Sequence, residues 1–190
     1  MKNSCAAILL LSLLGASQAV KAQEQASKLE AYGGYYYVRF NVNASAAGGG
    51  PAETFNGNGG GGQLEYNANN WLGIDGNLDG YYVSKNSTAL AGAFSYLSGP
   101  RFNWRRGRIA PYAQLLLGGL AATSGIGHSG TTNAFAMAAG GGMDFKLSKL
   151  ISIRPIQAEY YLTKFPDGLN NRQNNFRLSS GVVFRFGRTT

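Results

Sequence analysis

Apolar and polar residues alternate with a period of two in eight separate segments of this 190-residue chain. In the last segment Phe176, Phe184 and Phe186 share one parity, whereas Arg177 and Arg185 share the other. Because successive side chains of a β-strand point to opposite faces, this period predicts strands with two chemically different faces. No segment after residue 30 has the spacing of an amphipathic helix, so the pattern predicts an all-β fold.

The same alternation runs through earlier segments. Near the N-terminus it assigns Tyr32, Tyr36 and Val38 to the apolar face and Arg39 to the polar face. The apolar faces of the next five segments are Leu64, Tyr66 and Ala68; Leu72, Ile74, Leu78 and Tyr82; Phe94, Tyr96, Phe102 and Trp104; Pro111, Ala113, Leu115 and Leu117; and Phe135, Met137, Met143 and Phe145.

The seventh segment keeps its alternation only if one extra residue is inserted. Ile151 and Ile153 differ in parity from Ile156 and Tyr160, although all four belong to one apolar face. Pro155 lies between the two pairs and has no N–H to donate to a neighbouring strand. The sequence therefore predicts a β-bulge at Pro155.

The connections between the predicted strands are alternately short and long. The short ones lie near residues 69–70, 105–108 and 147–149. The long ones are rich in Gly, Asn, Ser and Thr, and they lie near residues 42–59, 83–91, 122–132 and 164–174. An up-and-down barrel with both termini at the short-turn end accounts for the even strand count and this alternation, and it leaves no open sheet edge.

Glycine supplies 28 of the 190 residues, and the run from Gly57 to Gly62 formally matches the dinucleotide-binding pattern G-x-G-x-x-G. That pattern binds phosphate only between a strand and a helix, and here a strand follows. We interpret the run as loop and the beginning of a strand, and we expect no cofactor.

The composition of the polar face decides which side of the barrel meets water. A soluble exterior carries many Lys and Glu residues, whereas this face is mostly Gly, Ala, Ser, Asn and Gln. We therefore predict an eight-stranded antiparallel up-and-down transmembrane β-barrel with its apolar face in lipid. The alternative is a soluble periplasmic barrel that binds a small apolar ligand, in which Phe184 would face inward and Arg185 outward.

The N-terminus has the features of an export signal. Lys2 precedes an apolar stretch at residues 6–14, and small residues follow at Ala19 and Ala22, either of which suits signal peptidase. Nine apolar residues are too few to span a bilayer. We expect a cleaved signal peptide at residues 1–22 and a barrel domain at residues 28–187.

Between residues 28 and 187 the chain resembles the small outer-membrane β-barrel proteins related to the OmpA transmembrane domain. The resemblance is carried by Gly33-Gly34-Tyr35, Gly73-Ile74-Asp75-Gly76, Gly99-Pro100-Arg101-Phe102, Pro111-Tyr112-Ala113-Gln114, Ile153-Arg154-Pro155 and the aromatic last strand. It implies a location in the outer membrane of a Gram-negative bacterium, among outer-membrane lipids, and folding by the barrel assembly machinery. It also implies an assembly signal at Val182, Phe184 and Phe186, although four residues follow Phe186 here.

Charged residues of both signs fall on the predicted inner face. They are Arg39, Glu65, Asp75, Asp79, Arg101, Asp144, Arg154, Glu159, Arg177 and Arg185. Unpaired charges inside a narrow barrel cost several kcal/mol each, so we expect ion pairs that fill the lumen. A narrow ion channel through these pairs is the alternative.

A second group of basic residues gathers at the short-turn end. This predicted periplasmic basic rim consists of Arg105, Arg106, Arg108, Lys146, Lys149 and Arg188. In an exported protein such a rim suits phospholipid head groups, and we expect no nucleic-acid partner.

The chain offers few residues for catalysis or metal binding. Its single cysteine, Cys5, lies in the predicted signal peptide, and its single histidine, His128, lies beside Ser129 in a long connection. A lipid-modifying enzyme would need His128 to meet a serine and an acid, and no orienting acid is near it in sequence. We therefore expect a monomeric barrel that is not an enzyme, with a structural or surface-interaction role through four extracellular loops, whose composition specifies no particular partner.

Overall fold

A computed structural model of the chain describes residues 26–42, 53–85, 89–123, 131–164 and 172–187. The predicted signal peptide and its cleavage site, His128 and Arg188 lie outside the described residues. Within the described part, no helix is long and apolar enough to cross a membrane.

Eight strands form the fold. They are β1 (Leu29–Val42), β2 (Glu53–Asn67), β3 (Leu72–Lys85), β4 (Ala89–Asn103), β5 (Ile109–Thr123), β6 (Thr131–Lys146), β7 (Ile151–Lys164) and β8 (Gln173–Phe186). Each strand pairs antiparallel with its neighbour in the sequence, and β1 also pairs antiparallel with β8. The prediction of a closed, eight-stranded antiparallel barrel is confirmed.

Local chemistry forms the short turns at one end of the barrel. In the β2–β3 turn the side-chain oxygen of Asn69 accepts hydrogen bonds from the backbone N–H groups of Trp71 and Leu72. In the β4–β5 turn Arg106 and Ile109 exchange two backbone hydrogen bonds around Gly107, whose φ of 58° disfavours other residues.

The predicted bulge in β7 is also confirmed. The register of β7 against β8 shifts between Arg154 and Gln157, which brackets Pro155. The extra residue returns Ile156 to the outer face that Ile151 and Ile153 occupy, and it keeps Arg154 and Gln157 inside. One irregularity therefore preserves the facing of a strand whose sequence breaks parity.

The outer surface of the barrel is apolar, and the packed interior contains the buried charged residues. Phe184 is 46% exposed on the outer face, whereas its neighbour Arg185 is 4% exposed inside. The soluble alternative requires the opposite facing, so this arrangement contradicts it. An exterior of Phe, Tyr, Leu and Ile suits lipid, as in transmembrane barrels.

The glycine run corrects one expectation. Gly57–Gly62 was expected to be loop and the beginning of a strand, yet all six residues lie inside β2 and pair with β1 and β3. Glycine is common both in long connections and in strands that pack closely against their neighbours, so composition alone does not distinguish a loop from a strand. Here the close approach of the neighbouring strands explains why the strand contains so many glycines.

Gly59 and Gly60 are adjacent but lie on opposite faces of β2, so the same substitution at each position gives a matched pair of variants. A Cβ on Gly59 would collide with the carbonyl oxygen of Gly80, whereas a Cβ on Gly60 would have no neighbour closer than 3.6 Å. We expect Gly59→Val to lower the free energy of unfolding by about 1–3 kcal/mol through overpacking. Gly60→Val points outward and should leave it within about 0.5 kcal/mol. Urea unfolding from phospholipid vesicles measures both, and equal losses would contradict the packing argument.

Candidate functional site

A chain of ion pairs fills the short-turn half of the barrel. Arg105 lies 3.1 Å from Glu30 and 3.8 Å from Glu65. Arg101 lies 3.4 Å from the other carboxylate oxygen of Glu65, and Arg185 lies 3.7 Å from Glu30. All five side chains are buried, and they come from β1, β2, β4, β8 and the β4–β5 turn. The chain of charges therefore links strands across the lumen.

Asp144 on β6 joins this chain to β7. Its carboxylate accepts hydrogen bonds from Arg101 at 3.0 Å and from Arg154 at 2.7 and 3.1 Å. Arg154 also donates to the side-chain oxygens of Gln63 and Gln157. Arg154 therefore donates hydrogen bonds to side chains on three strands. These bonds fix the positions of β2, β6 and β7 relative to one another.

A second, smaller group lies nearer the long connections. Arg177 on β8 donates to Glu159 at 2.6 Å and to Asp79 at 3.1 Å, and it also donates to Asn77 at 3.0 Å. Gln114 donates to the remaining oxygen of Glu159 at 2.8 Å. Side-chain exposure is zero for Arg177, Glu159 and Asp79, so these contacts replace the water that the ions lose.

Aromatic rings pack against the guanidinium groups. Arg101 lies 3.5 Å from the ring centre of Tyr112, and Arg154 lies between Tyr32 and Tyr112 at 4.4 and 4.6 Å. Tyr112 also donates its hydroxyl proton to Gln157 at 2.6 Å. Each ring supplies an electron-rich face that favours the buried cation and fills space beside it.

Apolar side chains fill the lumen beyond the charges. In β3, β5 and β7 an apolar or aromatic residue follows a polar one two positions later, as in Tyr81 after Asp79 and Tyr161 after Glu159. We refer to the following cluster as the apolar plug: Tyr32, Tyr36, Val38, Tyr81, Ala93, Leu97, Leu116, Leu120, Ala136, Ala138, Tyr161 and Val183, with Phe40 packed against it. Plug residues and charged residues therefore share the lumen: Tyr32 and Val183 pair near the short turns, whereas Val38 stands opposite Arg177 nearer the long connections.

Asp75 is the least supported acid of the interior. It is fully buried, stands directly opposite Glu65 in the β2–β3 register, and meets Arg101 only at 3.7 Å. Neither of its carboxylate oxygens accepts a hydrogen bond from the described residues. Two like charges in directly opposed positions oppose strand pairing.

This geometry predicts opposite effects for two equivalent substitutions. Asp75→Asn removes an unsatisfied charge, and we expect the free energy of unfolding to stay the same or rise by about 1 kcal/mol. Asp144→Asn leaves Arg154 without its main partner, and we expect a loss of about 3 kcal/mol. Denaturant unfolding of both variants in the same vesicles measures the difference. A loss for Asp75→Asn as large as that for Asp144→Asn would contradict this account.

The structure places nine of the ten predicted lumen charges inside the barrel. They are Glu65, Asp75, Asp79, Arg101, Asp144, Arg154, Glu159, Arg177 and Arg185. Arg39 is the exception, because it is exposed on the outer face of β1. The prediction for Arg39 is wrong: the buried side chains that precede it in β1 include Tyr36 and Val38, which belong to the apolar plug.

The predicted basic rim divides in a similar way. Arg106, Arg108 and Lys149 are exposed at the short-turn end, and Lys146 is half-buried. Arg105 is 6% exposed and points into the barrel, so its assignment to the rim is wrong. Arg105 continues the inward parity of Arg101 and Asn103. Its guanidinium donates a hydrogen bond to the backbone oxygen of Asn70 at 2.8 Å.

Several interior residues were absent from the predicted set. Glu30 was missed because it begins β1, before the alternation becomes evident, although it shares the parity of Tyr32 and Tyr36. Tyr112 and Gln157 have the parity of the inner face but were not predicted to belong to the charge network. Only the packing shows that they touch the arginines.

The three residues of the predicted assembly signal lie on β8. Val182, Phe184 and Phe186 are exposed on its outer face, and the strand pairs with β7 and β1. In the described segments, no group of three or more His, Cys, Asp or Glu side chains is arranged to hold a metal ion.

Solved structures of several bacterial proteins share this architecture. Neisserial surface protein A has a TM-score of 0.68 at 14% identity, over 86% of this chain and 100% of that one. The attachment invasion locus protein Ail of Yersinia pestis has a TM-score of 0.58 at 20% identity, over 85% and 99%. OprG from Pseudomonas aeruginosa has a TM-score of 0.55 at 12% identity, over 87% and 99%. At these identities the similarity shows a shared fold.

The sequence itself identifies the family. No protein of curated function matches the chain significantly. The family described as outer membrane protein beta-barrel domain matches residues 6–186, which is nearly the whole chain. The chain therefore belongs to the outer membrane protein beta-barrel domain family.

Proposed function

We propose that this protein is a closed outer-membrane barrel that supports the membrane structurally or makes surface contacts through its four long connections. The observation that carries the proposal is the filled interior. Interlocked ion pairs and the apolar plug together occupy the lumen, so the barrel serves as a rigid anchor rather than as a conduit.

The names of similar proteins support a role at the cell surface. Two of the structures that share the fold are called a surface protein and an attachment invasion locus protein. For this chain we propose only a corresponding location at the cell surface. In this orientation the long connections face the outside of the cell and the short turns face the periplasm. We propose no enzymatic activity, because the buried charged groups are engaged with one another.

Export and assembly complete the proposal. We propose that residues 1–22 are removed on export, and that the assembly machinery recognises Val182, Phe184 and Phe186 at the end of β8. We also propose a monomer in which Arg106, Arg108 and Lys149 contact lipid head groups at the periplasmic side. Their exposure at the short-turn end supports this placement.

Two cysteine substitutions test the orientation. Thr131 and Arg108 are both exposed, at opposite ends of the barrel. We expect Thr131→Cys to react with a membrane-impermeant maleimide on intact cells, and Arg108→Cys to react only after the envelope is opened. A boiling-dependent shift in gel migration, measured on isolated outer membranes, serves as the control for folding. Labelling in the reverse order would overturn the orientation.

Planar-bilayer recording tests the closed interior. We expect the purified, folded protein to give no steady ionic current, since the ion pairs and the apolar plug fill the lumen between the described strands. A steady current that disappears on heat denaturation would show that the barrel conducts, and the anchor proposal would then fail.

A further inference from the structure

Exposed basic side chains lie on two neighbouring turns at the short-turn end of the barrel. Arg106 and Arg108 lie in the turn between β4 and β5, and Lys149 lies in the turn between β6 and β7. All three side chains are exposed. We refer to these three residues as the two-turn basic patch.

The strand pairing sets the two turns beside each other. The backbone N–H of Lys146, the last residue of β6, donates to the carbonyl oxygen of Arg108 at 2.8 Å, so the first turn is bonded to the strand that leads into the second. β5 and β7 flank β6, and two strand spacings of ~4.8 Å put these strands about 10 Å apart. The patch therefore presents two cationic positions within about 10 Å of each other along the rim.

Hydrogen bonds hold both turns in one conformation. Arg106 and Ile109 exchange backbone hydrogen bonds of 3.0 and 3.2 Å in the first turn. In the second turn the hydroxyl oxygen of Ser148 accepts hydrogen bonds from the N–H groups of Leu150 and Ile151 at 3.2 and 3.0 Å. A ligand that meets both turns therefore has little backbone to order, so less of its binding free energy is lost.

An apolar row lies directly above the patch on the outer wall. The strand registers pair Ile109 on β5 with Phe145 on β6, and Phe145 with Ile153 on β7. All three side chains are exposed. Cations at the rim with an apolar row above them match the two parts of a phospholipid, its head group and its acyl chains.

Acidic side chains near the short turns point away from the patch. Glu30, Glu65 and Asp144 are the acids of the described strands that lie closest to this end, and all three are buried in the lumen. Arginines inside the barrel engage them, at 3.1 Å for Glu30, 3.4 Å for Glu65 and 3.0 Å for Asp144. The charge of the exposed patch is therefore complementary to an anion from the surroundings.

We propose that the two-turn basic patch binds an anionic phospholipid that carries two phosphates, with one phosphate at Arg106 and Arg108 and the other at Lys149. The inference rests on the proposed function, which places these residues among lipid head groups, and it names the class of lipid that they select. A lipid with one phosphate meets one turn at a time. A lipid with two linked phosphates meets both, because binding at the first turn holds the second phosphate close to the second turn.

Tryptophan fluorescence reports binding at this end of the barrel. The chain has two tryptophans, Trp71 and Trp104, and both are exposed near the short turns. Trp71→Phe leaves Trp104, two residues before Arg106, as the sole reporter. The full chain in this background is folded in phosphatidylcholine vesicles, and brominated diphosphatidylglycerol or brominated phosphatidylglycerol is added at equal phosphate concentration. Quenching of Trp104 then measures the affinity for each lipid.

We expect the lipid with two phosphates to bind about fivefold more tightly, since each basic side chain at an anionic surface contributes about fivefold. K149Q removes one of the two cationic turns and R106Q/R108Q removes the other. Each variant should abolish the fivefold advantage and still bind phosphatidylglycerol at the turn that remains. The control R39Q/K164Q removes two exposed cations at the other end of the barrel and should keep the advantage.

Equal affinity for the two anionic lipids before the basic residues are changed would overturn the proposal, while the head-group contact of the proposed function would stand. Equal affinity for anionic lipid and phosphatidylcholine would remove that contact as well. An advantage that persists in K149Q, or that R39Q/K164Q loses to the same extent, would also overturn the proposal. Heat-modifiability shows that each variant is folded. Both leaflets of the vesicles carry the same lipids, so the result does not depend on the orientation that cysteine labelling tests.

Discussion

Replacing Arg177 with methionine is expected to lower the free energy of unfolding by about 3–5 kcal/mol, the usual loss when one partner of a buried ion pair is removed. Methionine has a similar length but cannot donate a hydrogen bond. The variant leaves Glu159 and Asp79 buried without the guanidinium that lies 2.6 and 3.1 Å from them. Unfolding in urea from phospholipid vesicles, followed by tryptophan fluorescence, measures the loss.

Two further variants separate the lost pairing from lost packing. Arg108→Met makes the same replacement at an exposed turn position and should change stability by less than about 0.5 kcal/mol. Adding Glu159→Gln and Asp79→Asn to Arg177→Met removes the two unpaired charges, and we expect it to recover part of the loss. A single Arg177→Met variant within about 1 kcal/mol of the native protein would contradict an interior held by this ion triad.

Introducing an arginine on the outer wall at mid-height should destabilise the barrel in a depth-dependent way. Leu115 on β5 is 41% exposed and stands six residues beyond Ile109, which is 43% exposed at the short-turn end. At ~3.3 Å per residue and a tilt of about 40°, Leu115 lies about 15 Å above Ile109, near the middle of the apolar band. We expect Leu115→Arg to cost about 2–4 kcal/mol and Ile109→Arg about 0–1 kcal/mol.

Comparison of the two arginine variants isolates the effect of the membrane. Both positions lie on one strand, on one face, and are almost equally exposed, so a barrel surrounded by water would tolerate the two substitutions alike. Unfolding from vesicles measures both. Equal free energies of unfolding for Leu115→Arg and Ile109→Arg would contradict the placement of β5 across the bilayer.

Much of the fold was predictable because its signals are local. The alternation in β8 predicted Phe184 outside and Arg185 inside, and both lie there. The parity break around Pro155 predicted the bulge, since a strand can restore its facing only by an extra residue. The boundaries of β2 were less accurate, because glycine is common both in loops and in closely packed strands.

Two arginines show where local signals fail. Arg39 was assigned to the lumen because its neighbours Tyr36 and Val38 are apolar, and an apolar face was taken to face lipid. In this part of β1 the inward side chains are themselves apolar and belong to the plug, so the rule inverts in this strand. Arg105 was read as a turn residue, although the parity of Arg101 and Asn103 continues through the turn and carries it inside.

The sequence by itself determined the number of strands, the alternation of short and long connections and the facing of most strands. These features depend on a period of two and on turn chemistry, both of which act between residues close in the chain. Only the tertiary structure decided which face of β1 points into the lumen and which cation pairs with which acid. Closure brings Glu30 opposite Arg185, and it brings Arg177 to Asp79, residues far apart in the sequence whose contact depends on the register of the whole barrel.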